Sequence, residues 1–248
     1  MFPIRDHNPS ATTPYVTYTL IAVNVLVFLS YWSLFSDARA ITLFFNQWAM
    51  IPARVTQMGE YSGVLTSMFL HGGVMHLAGN MLFLWIFGDN LEDRMGHLPY
   101  LVFYLAAGIA AGAAHVLGGP GSMVPTVGAS GAIAGVMGGY LLLFPRARVD
   151  ILIIIVFFIR IITIPAALVL VLWFAFQVLA GLGSSADAGG VAYWAHAGGF
   201  VAGAVLALPV FVRLGGPRFW RQHGGIPPSP AARYRFRRTP IPRVRRRR

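Results

Sequence analysis

From Tyr15 to Leu34 the chain runs for 20 residues without a charged side chain, and comparable apolar stretches recur along its length. An α-helix rises 1.5 Å per residue, so about 20 apolar residues cover the roughly 30 Å hydrocarbon core of a bilayer. In hydrocarbon each backbone N–H and C=O needs a partner inside the structure, which restricts what can span. The runs therefore predict an all-α membrane protein, a polytopic bundle of six transmembrane helices at about 15–34, 74–88, 98–117, 126–144, 164–182 and 191–212. Only 11% of residues are charged, against about 25% in a typical soluble domain, so a soluble globule is excluded.

Between the spans, residues 35–70 mix charges with Phe44, Phe45, Trp48 and Met50, as an amphipathic loop at the membrane interface would. Apolar character from 151 to 183 is too long for one crossing and too short for two. Residues 151–162 are accordingly assigned to the interface, with Arg160 reaching headgroups. Residues 1–14, with Pro3, Pro9 and Pro14, read as a short flexible cytoplasmic lead. Residues 15–213 form the membrane domain, and 214–248 an arginine- and proline-rich cytoplasmic tail without fixed structure.

Charge sets the orientation. The net charge of +11 is concentrated in twelve arginines between Arg213 and Arg248, where there is no acid; the preceding chain holds seven arginines against eight acids. Positive segments favour the cytoplasmic face. Six crossings then place both termini in the cytoplasm of a multi-pass cell-membrane protein, with Arg94, Arg146 and Arg148 on the tail side. Anionic headgroups are the expected partner of the tail, and no nucleic acid is expected. Cysteine is absent, which removes disulfides, thiolate metal sites and a cysteine nucleophile.

On this topology the outer ends of spans two, four and six carry His71 and His76, Ser130, and His196. Ser130 lies in Gly128-Ala129-Ser130-Gly131, and glycines at 128, 131, 135 and 139 leave that flank nearly bare. A second helix backbone can then come close enough to bring a side chain to the hydroxyl. Counted from the expected span starts, Ser130 and His196 sit about 6–8 Å below the boundary, at one depth. Serine beside histidine is the minimum for acyl transfer, the imidazole taking the hydroxyl proton. All eight acids lie outside the spans, so the expected unit is a dyad, with no metal and no cofactor. His76 and Asn80, four residues apart on one helix face, are placed to stabilise an oxyanion.

These motifs resemble the rhomboid family of intramembrane serine proteases. The similarity is carried by His71…His76…Asn80, Glu92-x-Arg94-x-Gly96, Gly128-x-Ser130-Gly131 and Ala195-His196-x-x-Gly199-x-x-x-Gly203, in family order. The resemblance implies the prokaryotic six-span form. It implies Ser130 as nucleophile, His196 as general base, and an oxyanion site from His76, Asn80 and the Ser130 amide. It also implies transmembrane protein substrates, with the fifth span and the loop at 183–190 as gate and cap. His71, Gly128, Gly131, Glu92, Arg94, Gly199 and Gly203 would support the site, Glu92 pairing with Arg94 and His71 packing or capping the second span. Ala134 departs from members that stack an aromatic residue on the histidine four positions after the serine. Two other readings are compatible with the same residues: a silent relative that binds transmembrane segments without cutting them, and a haem protein using His76 with His196 or His115.

Overall fold

The structure, a computed structural model, describes residues 2–155, 158–184 and 189–223. Its helices are α1 (Tyr15–Ser30), α2 (Ala38–Trp48), α3 (Pro52–Met58), α4 (Ser62–Thr66), α5 (Val74–Met95), α6 (His97–Gly118), α7 (Ser130–Leu143), α8 (Ala166–Gly183), α9 (Tyr193–Leu206), α10 (Leu208–Arg213) and α11 (Pro217–His223). Among the described residues, three helical stretches are long and apolar enough to cross a membrane: His97–Gly118, Ala166–Gly183 and Tyr193–Arg213. Ser62–Phe69 and Val74–Met95, bent by 88°, together make a fourth candidate, and α1 and α7 are shorter apolar helices.

At 14 residues α7 is about 21 Å long, less than a bilayer core. Eleven of those residues are buried, because α5, α6, α8 and α9 surround the helix. Protein rather than lipid therefore meets most of its flank. The closest partner is α9, and glycine permits the approach. A Cβ at Gly199 would strike the Gly131 carbonyl, and one at Gly203 the Gly135 carbonyl.

One end of the bundle collects most of the fixed charges, with Asp37, Arg39, Arg54 and Glu60 in the segment between α1 and α5 as exceptions among the described residues. Glu92, almost fully buried near the end of α5, accepts hydrogen bonds from the Val16 and Thr17 amides, both 2.8 Å, and from the Thr17 hydroxyl at 2.7 Å. These amides belong to the first turn of α1, which begins after Pro14 without a side-chain cap of its own. A carboxylate from another helix thus supplies the acceptors and the negative charge that a helix N-terminus favours. His97 Nδ1 also lies 2.6 Å from Glu92. The expected Glu92–Arg94 pair is not formed: Arg94 Nε lies 3.7 Å from Asp93, and the Arg94 carbonyl accepts from Arg213. Carboxylate geometry explains the preference, since α1 offers three donors to one side chain.

Three sequence expectations change at this same end. The fold is mostly helical but not purely α. Residues 151–162 lie in an antiparallel pair, β2 (Arg148–Ile155) with β3 (Phe158–Pro165), and the lead expected to be flexible supplies β1 (Phe2–Asp6) on the other side of β2. β-branched Val149, Ile151, Ile153 and Ile155 suit a pleated strand better than a helix. Asp150 clamps the three strands together, bonded to Arg5 of β1, His7 just after it, and Thr163 of β3 at 2.6–2.8 Å. Donation by Thr163, then His7 and Arg5, holds its carboxyl well below the usual range. The expected unstructured tail also begins later, because α11 seats Phe219 in the core and Trp220 donates to the Leu142 carbonyl. Residues 224–248 lie outside the described residues, as do 185–188 of the expected cap.

Two outcomes follow for this end. Replacing Glu92 with Ala leaves buried donors without an acceptor, at about 1–3 kcal/mol for each group. The expected result is a lower melting temperature in detergent, with amide exchange rising first in α1. Asp6, whose carboxyl accepts from Tyr140 at 2.8 Å, is raised from 3.8 to about 7, chiefly by burial. It binds more protons folded than unfolded between those values, so its contribution weakens as pH rises through 7. Protease cleavage within residues 2–8 is expected to be faster at pH 8 than at pH 5.5, and Asp6→Asn is expected to flatten that difference.

Candidate active site

At the opposite end, α5, α6, α7, α8 and α9 surround a cavity of about 500 Å³. Ser130 is the first residue of α7 rather than lying four residues inside it, because 126–129 run as a non-helical segment. That segment is tied down: Thr126 and Met50 form an isolated β-bridge, and the Gly128 amide donates to the Ser67 carbonyl at 2.9 Å. Gly128 has φ +135°, a conformation side chains rarely adopt, and a Cβ there would lie 2.8 Å from His76 Nε2. Glycine therefore lets His76 approach the start of α7.

Ser130 Oγ lies 2.7 Å from His196 Nε2. The two residues are 66 apart in sequence, and the glycine contacts of α7 and α9 bring them together. Two features of His196 were not anticipated from the sequence. Its Nδ1 lies 2.8 Å from Gln177 Oε1, and its ring sits 5.6 Å from that of Trp173, inclined by 31°. Both residues come from α8, one helical turn apart. Trp173 takes the aromatic place that the fully buried Ala134 leaves empty. A signal existed, since Gln177 is the sole polar side chain in Ala166–Gly183, and a polar group within a span needs a partner.

Asn80 lines the cavity one turn along α5 from His76 and is buried, with its Nδ2 lacking an acceptor among the described residues. An unpartnered donor costs about 1–3 kcal/mol, which suits a site that forms its acceptor only during reaction. His76 Nδ1 accepts from the Gly72 amide at 3.4 Å, which leaves Nε2 as the N–H. The Ser130 amide, at the head of α7, has no intrahelical partner. Asn80, His76 and Ser130 therefore all line one cavity. Fixed charges are absent from the lining among the described residues.

Other expected residues divide. Gly131, Gly199 and Gly203 act in the α7–α9 contact, whereas Glu92 and Arg94 lie at the far end. His71 does not cap α5, whose N-cap Gly73 has no side-chain bond. It packs fully buried against His76, with ring centroids 5.2 Å apart, while the Tyr31 hydroxyl bonds both its amide and its carbonyl. The interface loop contributes here, since Phe44 of α2 stacks on Tyr31. His115 also lines the cavity, its Nε2 2.9 Å from the Thr126 hydroxyl.

Fold and site together define a polytopic helical membrane protein with a serine–histidine pair sunk in a cavity among its helices. The chain belongs to the rhomboid family: the rhomboid domain matches residues 58–213. It is 33% identical over 198 residues to Rhomboid protease GluP of Bacillus subtilis (strain 168), covering 79% of this chain and 36% of that protein. It is 32% identical over 135 residues to the human Presenilin-associated rhomboid-like protein, mitochondrial, and 33% identical over 139 residues to Rhomboid protein 1, mitochondrial, of Saccharomyces cerevisiae. Each of these two matches covers 54% of this chain, and 34% and 38% of the relatives. The chain thus spans about a third of the length of the curated relatives it matches.

If Asn80 supplies an oxyanion donor, Asn80→Ala slows labelling of Ser130 by a fluorophosphonate about 10²–10³-fold, the usual cost of one such donor. Gel fluorescence against time measures this, and an unchanged rate would assign Asn80 to packing.

Proposed function

We propose that this protein is an intramembrane serine endopeptidase that cleaves transmembrane segments of membrane proteins through Ser130 and His196. The 2.7 Å contact between the hydroxyl and the imidazole, in a cavity that His76 and Asn80 also line, carries the reading. The likeness to a relative named a rhomboid protease supports it.

The chemistry follows from the atoms present. Ser130 Oγ attacks the peptide carbonyl carbon as its proton passes to His196 Nε2, and negative charge develops on the carbonyl oxygen. Asn80 Nδ2, His76 Nε2–H and the Ser130 amide stabilise that oxygen. His196 returns the proton to the departing amine, leaving an acyl ester on Ser130. A water deprotonated by His196 hydrolyses the ester and restores the hydroxyl. No metal or cofactor is required.

A membrane-spanning substrate suits the surroundings. α8 borders the cavity, and its outward face exposes Leu168, Leu172, Phe176 and Leu179, a surface suited to lipid and to an apolar peptide. Residues 15–213 then form a membrane domain with crossings at α1, α5, α6, α7, α8 and α9–α10. β1, Glu92, Arg94, Arg213 and α11 meet at one end, which supports both termini sharing a side, and the arginine excess makes that side cytoplasmic. On this reading the site opens on the outer side of the cell membrane, and the basic tail meets anionic headgroups.

Ser130→Ala and His196→Ala are each expected to abolish cleavage of a reporter with one transmembrane segment, without lowering the melting temperature. Cleavage by either variant at the parent rate would sink the dyad. A folded parent protein that takes no fluorophosphonate at Ser130 would favour the non-cutting binder.

A further inference from the structure

We propose that Gln177 is a positioning residue that fixes the tautomer of His196, so that the reactive unit is a Ser–His–Gln triad assembled from three helices. The inference rests on the peptidase reading above and adds to it the group that orients the base. A neutral imidazole carries one proton, and it can take the serine proton at Nε2 only if its own proton sits on Nδ1. Gln177 Oε1 lies 2.8 Å from Nδ1, and a carbonyl oxygen only accepts. The Nδ1–H therefore donates to Gln177, and the lone pair of Nε2 faces Ser130 Oγ at 2.7 Å.

Aspartate holds this place in the serine–histidine–aspartate arrangement, where it orients the imidazole and stabilises the imidazolium. An amide gives the orientation without the charge. That choice fits the location: Gln177 is buried with 4% of its surface exposed, and an ionised carboxylate there would need a compensating cation. None is at hand, since the titratable side chains facing His196 are His76 from α5 and His115 from α6, and the cavity lining has no arginine among the described residues. Trp173, one turn before Gln177, packs at a tilt against the imidazole ring, so one helix supplies both the acceptor and an aromatic contact. The tautomer is thus set by α8, the least buried of the three long candidate spans.

Fluorophosphonate labelling tests this without a known substrate: Ser130 Oγ bonds phosphorus, fluoride leaves, and His196 Nε2 takes the proton. Gln177→Leu keeps bulk but removes the acceptor, and the maximal labelling rate is expected to fall about 10²-fold, at the low end of what a positioned base contributes. The half-saturating probe concentration is expected to stay within about twofold. Gln177→Glu retains an acceptor at the same position. It is expected to label within about tenfold of the parent, with the acid limb of its pH–rate profile at higher pH, because a carboxylate favours the imidazolium. Val102→Ala, on the exposed face of α6 and away from the cavity, should match the parent.

A Gln177→Leu rate within about threefold of the parent would overturn the assignment, as would a Gln177→Glu variant as slow as Gln177→Leu. Should Gln177→Leu not fold, an acid limb in Gln177→Glu identical to that of the parent would overturn it instead. Absence of labelling in the parent would sink the dyad, and the triad with it; labelling that ignores residue 177 would leave the dyad standing and remove only the third member.

Discussion

The α7–α9 contact is the constraint on which the rest of the protein depends. Two helices carrying large side chains hold their axes about 8–10 Å apart. Here the Gly199 and Gly203 positions lie against the Gly131 and Gly135 carbonyls, leaving no space for a side chain between the backbones. That proximity brings Ser130 Oγ within 2.7 Å of His196 Nε2. In hydrocarbon, burial of apolar surface gives little drive to helix association, so close packing and polar contacts must supply it. The packing that stabilises the bundle is therefore the packing that assembles the site.

The two ends of the bundle use polar groups differently. At the charged end, polar groups are spent on anchoring. Glu92 takes up the exposed amides of α1, and Asp150 draws donors from β1 and β3. At the cavity end, donors are left open: Asn80 Nδ2 lacks an acceptor among the described residues, and the Ser130 amide at the head of α7 has no intrahelical partner. Unsatisfied groups are costly, and a protein tolerates them where the surrounding structure fixes them in place. Here the Met50–Thr126 bridge, the Gly128–Ser67 bond and the Tyr31 bonds to His71 do the fixing. All three involve the long segment between α1 and α5, which gives that segment a structural purpose.

Chain topology also explains why the base needs an orienter from a further helix. The serine and histidine come from α7 and α9, and each helix is occupied by the other along its glycine face. A third group must approach from outside that pair, and α8 packs there with Trp173 and Gln177. Ala134 is small because it is enclosed within α7's buried flank, where an aromatic ring would have no room.

The sequence by itself determined the membrane class, the placement of most long helices, and the pairing of Ser130 with His196 beside His76 and Asn80. These follow from local properties: uncharged run length, glycine spacing, and which polar groups interrupt apolar runs. Tertiary structure decided what depends on partners distant in sequence. The lead became β1 because β2 offered it a strand edge, and residues 151–162 became strands because their hydrogen bonds close across a hairpin. Glu92 turned from Arg94 to α1 because three donors converge on it. Gln177 could be noticed as the lone amide of its span, but that it faces Nδ1 of His196 depends on how α8 is rotated against α9, which local pattern does not encode.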